Sequence, residues 1–215
     1  MAALRSAAPI HAATLERLAQ LCRQTEQGGR QGAIVTGYEE LDGLLPRGGW
    51  PLGSIIELLS ATAGIGELSL FLPALSRLAH SGRYVAWNAP PYIPYAPALA
   101  QQGLPLERVL IIRTRSVQES LWAAEQALRC PAIGAVLAWL EHVVDKNLRR
   151  LQLAAEAGSS LGILHRPADA AHEASPAALR LQLQPLTDGL AIHLLKARGG
   201  RAGLKWHLRP TDAVA

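Results

Sequence analysis

The sequence predicts an α/β protein: a mostly parallel sheet flanked by helices, with a helix ahead of it and an antiparallel hairpin after it. Three observations carry that prediction. From Gly37 to Arg166, short apolar runs of strand type alternate with amphipathic helical stretches, the rhythm of a sheet covered on both faces. After Pro176 the pattern changes to apolar–polar alternation across Gly199-Gly200, as paired antiparallel strands require. Finally, 49% hydrophobic against 18% charged residues in a chain of 215 supplies a core of single-domain size and argues against disorder.

The elements follow in order. Residues 1–32 are an appendage: "ATLERLAQLCRQ" places Leu15, Leu18, Leu21 and Cys22 at helical spacing, and Gly28, Gly29 and Gly32 break it. Residues 33–210 form the α/β domain and 211–215 a tail. "GYEELDGLL" is a short helix stopped by Pro46, and "GSIIELL" the first strand. "ELSLFLPALSRLA" is a helix that starts at Glu67, with Pro73 near its first turn or at a kink. "RYVAWNA" is a strand closed by Pro90-Pro91, "YAPALAQQG" a short helix and "RVLIIR" a strand. "VQESLWAAEQALR" puts Val117, Leu121, Ala124 and Leu128 on one inward face. "GAVLAWL" is a buried strand, and "KNLRRLQLAAEAG" a helix with Leu148, Leu151 and Ala155 inward. "SLGILHR", "ALRLQLQPL", "LAIHLLKA" and "GLKWHLR" complete the strands.

Several functional classes find no support in composition. No apolar stretch approaches the ~20 residues that span a bilayer, and no secretory leader is read at the N-terminus, so a cytoplasmic protein without membrane contact is expected. Cys22 and Cys130 are too few for a disulfide framework or a zinc site and are expected to be reduced, packed thiols. The histidines are scattered and show no metal-ligand spacing, and no serine sits in a G-x-S-x-G elbow. No metal, cofactor or catalytic residue is expected.

The segment "LLSATAGIGELSL" has the strand–loop–helix setting of a phosphate loop, G-x-x-x-x-G-K-[ST]. With Gly66 as the second glycine, the first falls on Ala61, the lysine on Glu67 and the hydroxyl on Leu68. Gly64 and Gly66 still offer backbone N–H groups, but Glu67 sets a carboxylate where phosphate oxygens belong, and Leu68 cannot hold magnesium. "GAVLAWL" ends without an aspartate; the first acid beyond it is Glu141. The loop is therefore expected to be a relic that binds no nucleotide. As a helix-starting residue, Glu67 favours the N-terminal dipole by about 0.3–1 kcal/mol.

The net charge of +4 is unevenly placed, with no acidic residue from Gly189 to Thr211. Lys196, Arg198, Arg201, Lys205 and Arg209, with Trp206 among them, are the candidates for contact with a partner or DNA. A solvated edge hairpin, kept soluble by its charges, is the alternative reading.

"TGYEELDGLLPRGGWPLGSIIELL" resembles the opening of a RecA-like core. Together with "GIGELSLFLPAL", "APPYIPYAPALAQQGL", "LWAAEQALR", "GAVLAW", "LRRLQLAAEAG" and "SPAALRLQL", it is similar to ImuA, the RecA-like family of damage-induced mutagenesis cassettes. That resemblance implies a RecA-like fold and a non-catalytic adaptor of SOS-induced translesion synthesis. Its implied partners are an ImuB-type Y-family polymerase homologue and, through it, an error-prone C-family polymerase, with RecA or DNA as a further contact and a nucleoid-associated location when engaged. Counterparts of the RecA DNA-binding loops fall near Glu141–Lys146 and Arg166–Ser175, which are short and barely basic. The middle segments also resemble the SulA family, SOS inhibitors of cell division that bind FtsZ. This is the alternative, and an ATP-dependent recombinase or regulator is the second.

Overall fold

The computed structural model describes residues 16, 17, 20–22 and 32–209. Of the expected N-terminal helix, Glu16, Arg17 and Gln20 to Cys22 are helical. Leu15, Leu18, Gly28, Gly29 and the tail at 211–215 lie outside the described residues. Two small strands, β1 (Ala33–Ile34) and β2 (Trp50–Pro51), pair antiparallel around helix α1 (Glu39–Leu44). The Asp42 carboxylate in that helix accepts the Thr36 N–H at 2.8 Å, and Leu41 is buried beneath it.

The main sheet has eight strands in the order β10-β9-β8-β3-β7-β6-β4-β5. They are β3 (Ser54–Ser60), β4 (Tyr84–Asn88), β5 (Val109–Ile112), β6 (Ile133–Trp139), β7 (Leu161–Pro167), β8 (Leu179–Leu186), β9 (Gly189–Ala197) and β10 (Leu204–Leu208). Strands β3 to β7 run parallel, and β8 also runs parallel to β3. Among the described strands of this sheet only β9 runs against the others: it is antiparallel to β8 and to β10, so β10 again points the way of β8. The C-terminal part is thus a three-stranded extension of a mixed sheet, where a RecA-like sheet ending in a hairpin was expected. Its physical reason is the link Pro167 to Ala178, long enough to carry the chain back and lay β8 along the far side of β3.

Side chains alternate between two cores. Ile56, Leu58, Val85, Trp87 and Leu137 face one, covered by Tyr38, Trp50, Phe71 and helix α2 (Leu72–His80). Ile55, Ala86, Val136, Ala138 and Leu164 face the other, under helices α4 (Val117–Arg129) and α5 (Asp145–Gly158). A short helix α3 (Ala96–Gln101) contributes Leu99 to the first core. Leu179, Leu181, Leu190 and Ile192 join it too, so the C-terminal strands share the domain's core.

Local chemistry shifts several expected boundaries. Helix α2 begins at Leu72, not at Glu67, with Pro73 in its first turn where a missing N–H costs nothing. In α4, Ser116 caps the N-terminus by accepting the Glu119 N–H at 3.2 Å. The inward face is Ser120, Ala123, Ala124, Ala127 and Leu128, whereas Val117, expected inside, is exposed. These small residues let the helix lie close on the sheet. In α5, Leu148, Leu151 and Ala155 are buried as the spacing requires. Gln152 beside them bonds the Ile55 N–H and the Gly53 carbonyl and so fixes the helix to β3. The two cysteines are joined in a disulfide with Cα atoms 5.1 Å apart, which overturns the expectation of reduced thiols.

Candidate functional site

The C-terminal ends of β3, β4, β6 and β7 converge on one end of the sheet, the usual place for a binding site in an α/β protein. The loop after β3 is the segment with the shape of a phosphate loop. Gly64 and Gly66 adopt left-handed backbone angles (φ 82° and 96°), which a glycine takes without strain. The Gly64 N–H donates to Glu67 Oε1 at 2.9 Å. A backbone donor that a phosphate would claim is therefore held by the chain's own carboxylate. Glu67 is almost fully buried, and His165 Nε2 lies 3.8 Å from the same oxygen. Burial lowers the His165 pKa, a shift the Glu67 charge opposes. His165 stacks on the Trp139 ring, centroids 5.2 Å apart. Ala61 and Leu68, the other relic positions, are respectively exposed and packed against the first core.

A cavity of about 550 Å³ opens beside this loop, walled by Thr62, Ala89, Val117, Trp139, His165 and Arg166 among others. Ala89, at the end of β4, has φ 52°, a strained conformation for a residue with a Cβ. The "PPYIPY" loop follows directly after it. On it Tyr92, Ile93 and Tyr95 are 73%, 69% and 73% exposed. Three large apolar side chains standing together in water are an unusual use of surface. Pro90, Pro91 and Pro94 limit the loop's freedom, so its aromatic rings are held ready at reduced entropic cost.

Behind the cavity lies a buried ion network. Glu57, fully buried on β3, accepts from Arg166 Nη1 at 2.8 Å and from Arg180 Nε at 2.6 Å. Arg166 reaches Glu173 at 2.6 Å, and Arg180 also holds the carbonyls of Ala170, Ala171 and Glu173. Arg166 belongs to the expected DNA-loop counterpart 166–175, and here its guanidinium is spent internally. In the other counterpart, Asp145 and Lys146 form the first turn of α5.

The basic residues expected to act together are dispersed. Lys196 Nζ donates to the Ser175 carbonyl at 2.6 Å, and Arg198 to that of Pro176. Arg209 lies 3.7 Å from Asp188. Trp206 turns inward, donating to Glu40 at 3.0 Å and meeting Tyr38 edge-on. Arg201 and Lys205 are exposed. Glu67, His165 and Trp139 do converge, beside a cavity whose wall includes Ala89 and Pro91 at the base of the Tyr92–Tyr95 loop, and no spacing in the sequence joins them. The signal available was the apolar triplet set between prolines, which no core-facing periodicity explains.

A family model described as "Cell division inhibitor SulA" matches residues 53–162, a little over half of the chain. The chain belongs to the SulA family. The SulA of Edwardsiella piscicida is 37% identical over 101 residues, 46% of this chain and 60% of that protein. That of Photorhabdus laumondii is 32% identical over 114 residues, 53% of this chain and 64% of that protein. Among solved structures, SulA from Pseudomonas aeruginosa is similar at 27% identity with a TM-score of 0.44, over 52% of this chain and 97% of that one. The chain spans less than two thirds of the length of these curated relatives. Membership of the SulA family overturns the kinship with ImuA, the RecA-like fold class and the translesion adaptor role. The ImuB-type and C-family polymerase partners fall with them. Strands β8 to β10 and the first 52 residues lie outside the SulA match. Among the described residues, no helix is long and apolar enough to cross a membrane.

Proposed function

We propose that this SulA-family chain arrests cell division in the SOS response by binding FtsZ, and that it does so as a binding protein without nucleotide chemistry. The observation that carries the reading is the loop bearing Tyr92, Ile93 and Tyr95, which lies inside the family match and presents its apolar side chains to solvent. Aromatic anchors on a rigid loop are the kind of residue that dominates binding energy in protein interfaces. The adjoining cavity gives a partner's side chain a recess to enter. The Gly64–Glu67 contact supports the absence of nucleotide chemistry, because the loop's donor is already satisfied.

The test is sedimentation of FtsZ polymers in GTP with increasing amounts of the purified chain. Near-stoichiometric addition is expected to reduce the pelleted fraction. Replacing Tyr92, Ile93 and Tyr95 together with Ala should leave the circular dichroism spectrum intact and weaken inhibition by about tenfold or more, as loss of one or two hot-spot residues does. Undisturbed FtsZ assembly at equimolar chain would end the division-inhibitor reading. A folded triple variant as potent as the parent would instead remove the loop from the interface.

A further inference from the structure

A second recess lies at the end of the sheet opposite the cavity, where β3 and β8 begin. It holds about 300 Å³, at the lower end of the roughly 300–1,000 Å³ common to small-molecule sites. Two turns wall it, residues 46–49 ahead of β2 and residues 198–199 after β9. The turns touch: a Cβ on Gly200 would fall 2.5 Å from Pro46 Cγ. The Trp206–Glu40 hydrogen bond and the Tyr38–Trp206 ring contact fasten the same two parts of the chain together. Of the residues lining the recess, only Ser54 falls inside the SulA match at 53–162. The recess is therefore built by parts of this chain that the family match leaves out, and arrest of division makes no use of it.

Among the described residues no carboxylate lines the recess, while Arg47 and Arg198 both do. Arg198 is held in place: its backbone N–H donates to the Ala178 carbonyl at 2.8 Å and its guanidinium to that of Pro176. Further N–H groups of its fork remain to meet a ligand. The Arg47 guanidinium, exposed on its turn, has no ion-pair or hydrogen-bond partner among the described residues. Ser54 adds a hydroxyl, and Pro46 and Pro51 an apolar wall. Nearby, burial first and then the charges of Arg198 and Arg180 hold the Lys196 pKa below its ordinary value, with Glu57 opposing. Positive charge at this end of the sheet thus exceeds what the chain's own acids offset. We propose that the recess binds a small dicarboxylate, one carboxylate on each arginine and the hydrocarbon between them laid on Pro46 and Pro51. A planar carboxylate matches the guanidinium fork with two parallel N–H···O bonds. Two carboxylates offset both arginines, and the carbon chain has a wall to rest on; an inorganic polyphosphate meets only the first of these demands.

The experiment follows the backbone amide signals of Ser54 and Gly199 in the full chain as succinate, glutarate or adipate is added, the three spanning different separations between carboxylates. At least one is expected to shift both signals saturably, with an affinity that falls as salt is raised and the attraction is screened. Butyrate, with a single carboxylate, and pyrophosphate, with no carbon chain, should each bind about tenfold or more weakly than the best dicarboxylate. Arg47→Ala removes a guanidinium that bonds to nothing else in the described fold. That variant should keep its melting temperature and lose about tenfold or more in affinity. Arg47→Glu should abolish binding, and Arg113→Ala, exposed at the far edge of the sheet beyond β5, should leave it unchanged. Replacing Tyr92, Ile93 and Tyr95 with Ala should also leave it unchanged, which separates this site from the proposed FtsZ surface. No saturable shift with any of the three dicarboxylates would overturn the proposal. So would an Arg47→Glu variant that binds like the parent, or pyrophosphate binding more tightly than every dicarboxylate.

Discussion

Glu67 stands where a phosphate loop needs lysine, and the structure gives that substitution a physical purpose. Its carboxylate closes the loop through the Gly64 N–H and faces His165 from within the fold. The misfit with a phosphate loop was legible in the residues themselves; the position of Glu67 ahead of the helix was not. A helix start depends on which turn packs, and residues 67–71 form turns whose Leu70 and Phe71 are fully buried before α2 begins. The helix-dipole role expected for Glu67 is replaced by a buried one. His165 supplies the measurable consequence. Its pKa in the folded chain lies below the ordinary 6.5 because burial penalises the charged ring, with Glu67 acting in the opposite direction. Above about pH 6.5 the ring is neutral in both folded and unfolded states, and its contribution to stability is fully present. As pH falls below that value the unfolded chain takes up the proton first, so stability is lost until the folded value is passed. The melting temperature is expected to drop more steeply between pH 7 and pH 5 in the parent than in His165→Gln. Parallel pH profiles for the two would show that His165 is not the group responsible.

At the level of elements, the two-period and helical patterns identified the strands of the main sheet and most of its helices. They did not reveal how β8 attaches. In sequence, "ALRLQLQPL" is a plain alternating strand and Arg180 one of its polar positions. In the fold, Arg180 is buried against Glu57, and with Arg166 it binds β8 and β7 to the two sides of β3. A charge within an apolar strand signals a buried partner, but the partner lies 123 residues away and leaves no local mark. The same network distinguishes a structural ion cluster from a surface one. Glu57→Ala would leave buried Arg180 with backbone carbonyls alone and buried Arg166 with the half-exposed Glu173 as its one carboxylate, and is expected to cost about 3–5 kcal/mol. Glu125→Ala removes the partner of Arg129 and Arg150, whose side chains are half exposed, and should cost less than about 1 kcal/mol. Urea unfolding midpoints of both variants measure the contrast. Comparable losses at the two positions would mean that the Glu57 network is no more than an exposed pair in energetic terms.

Across the whole molecule, the arrangement invites a comparison between scaffold and site. Five parallel strands end together, a glycine-bearing loop follows β3 and helices cover both faces, yet each chemical requirement of a nucleotide site is met by something else. Glu67 holds the loop amide, Leu68 packs on the core where a magnesium-binding hydroxyl is needed, and β6 ends at Trp139 instead of an acid. Glu141, the first carboxylate beyond that strand, is exposed on the following bend. A triphosphate entering here would lose its backbone donor to Glu67 and meet a carboxylate at close range, an opposition of several kcal/mol at the reduced dielectric of a partly buried site. Calorimetric titration of the chain with Mg-ATP at millimolar concentration is therefore expected to show no saturable heat, and extended incubation no released phosphate. Micromolar affinity would mean that the loop opens and Glu67 swings away. In that event the Gly64 amide resonance should shift on adding nucleotide, and the reading of a pure binding protein would give way to one with a nucleotide-controlled surface.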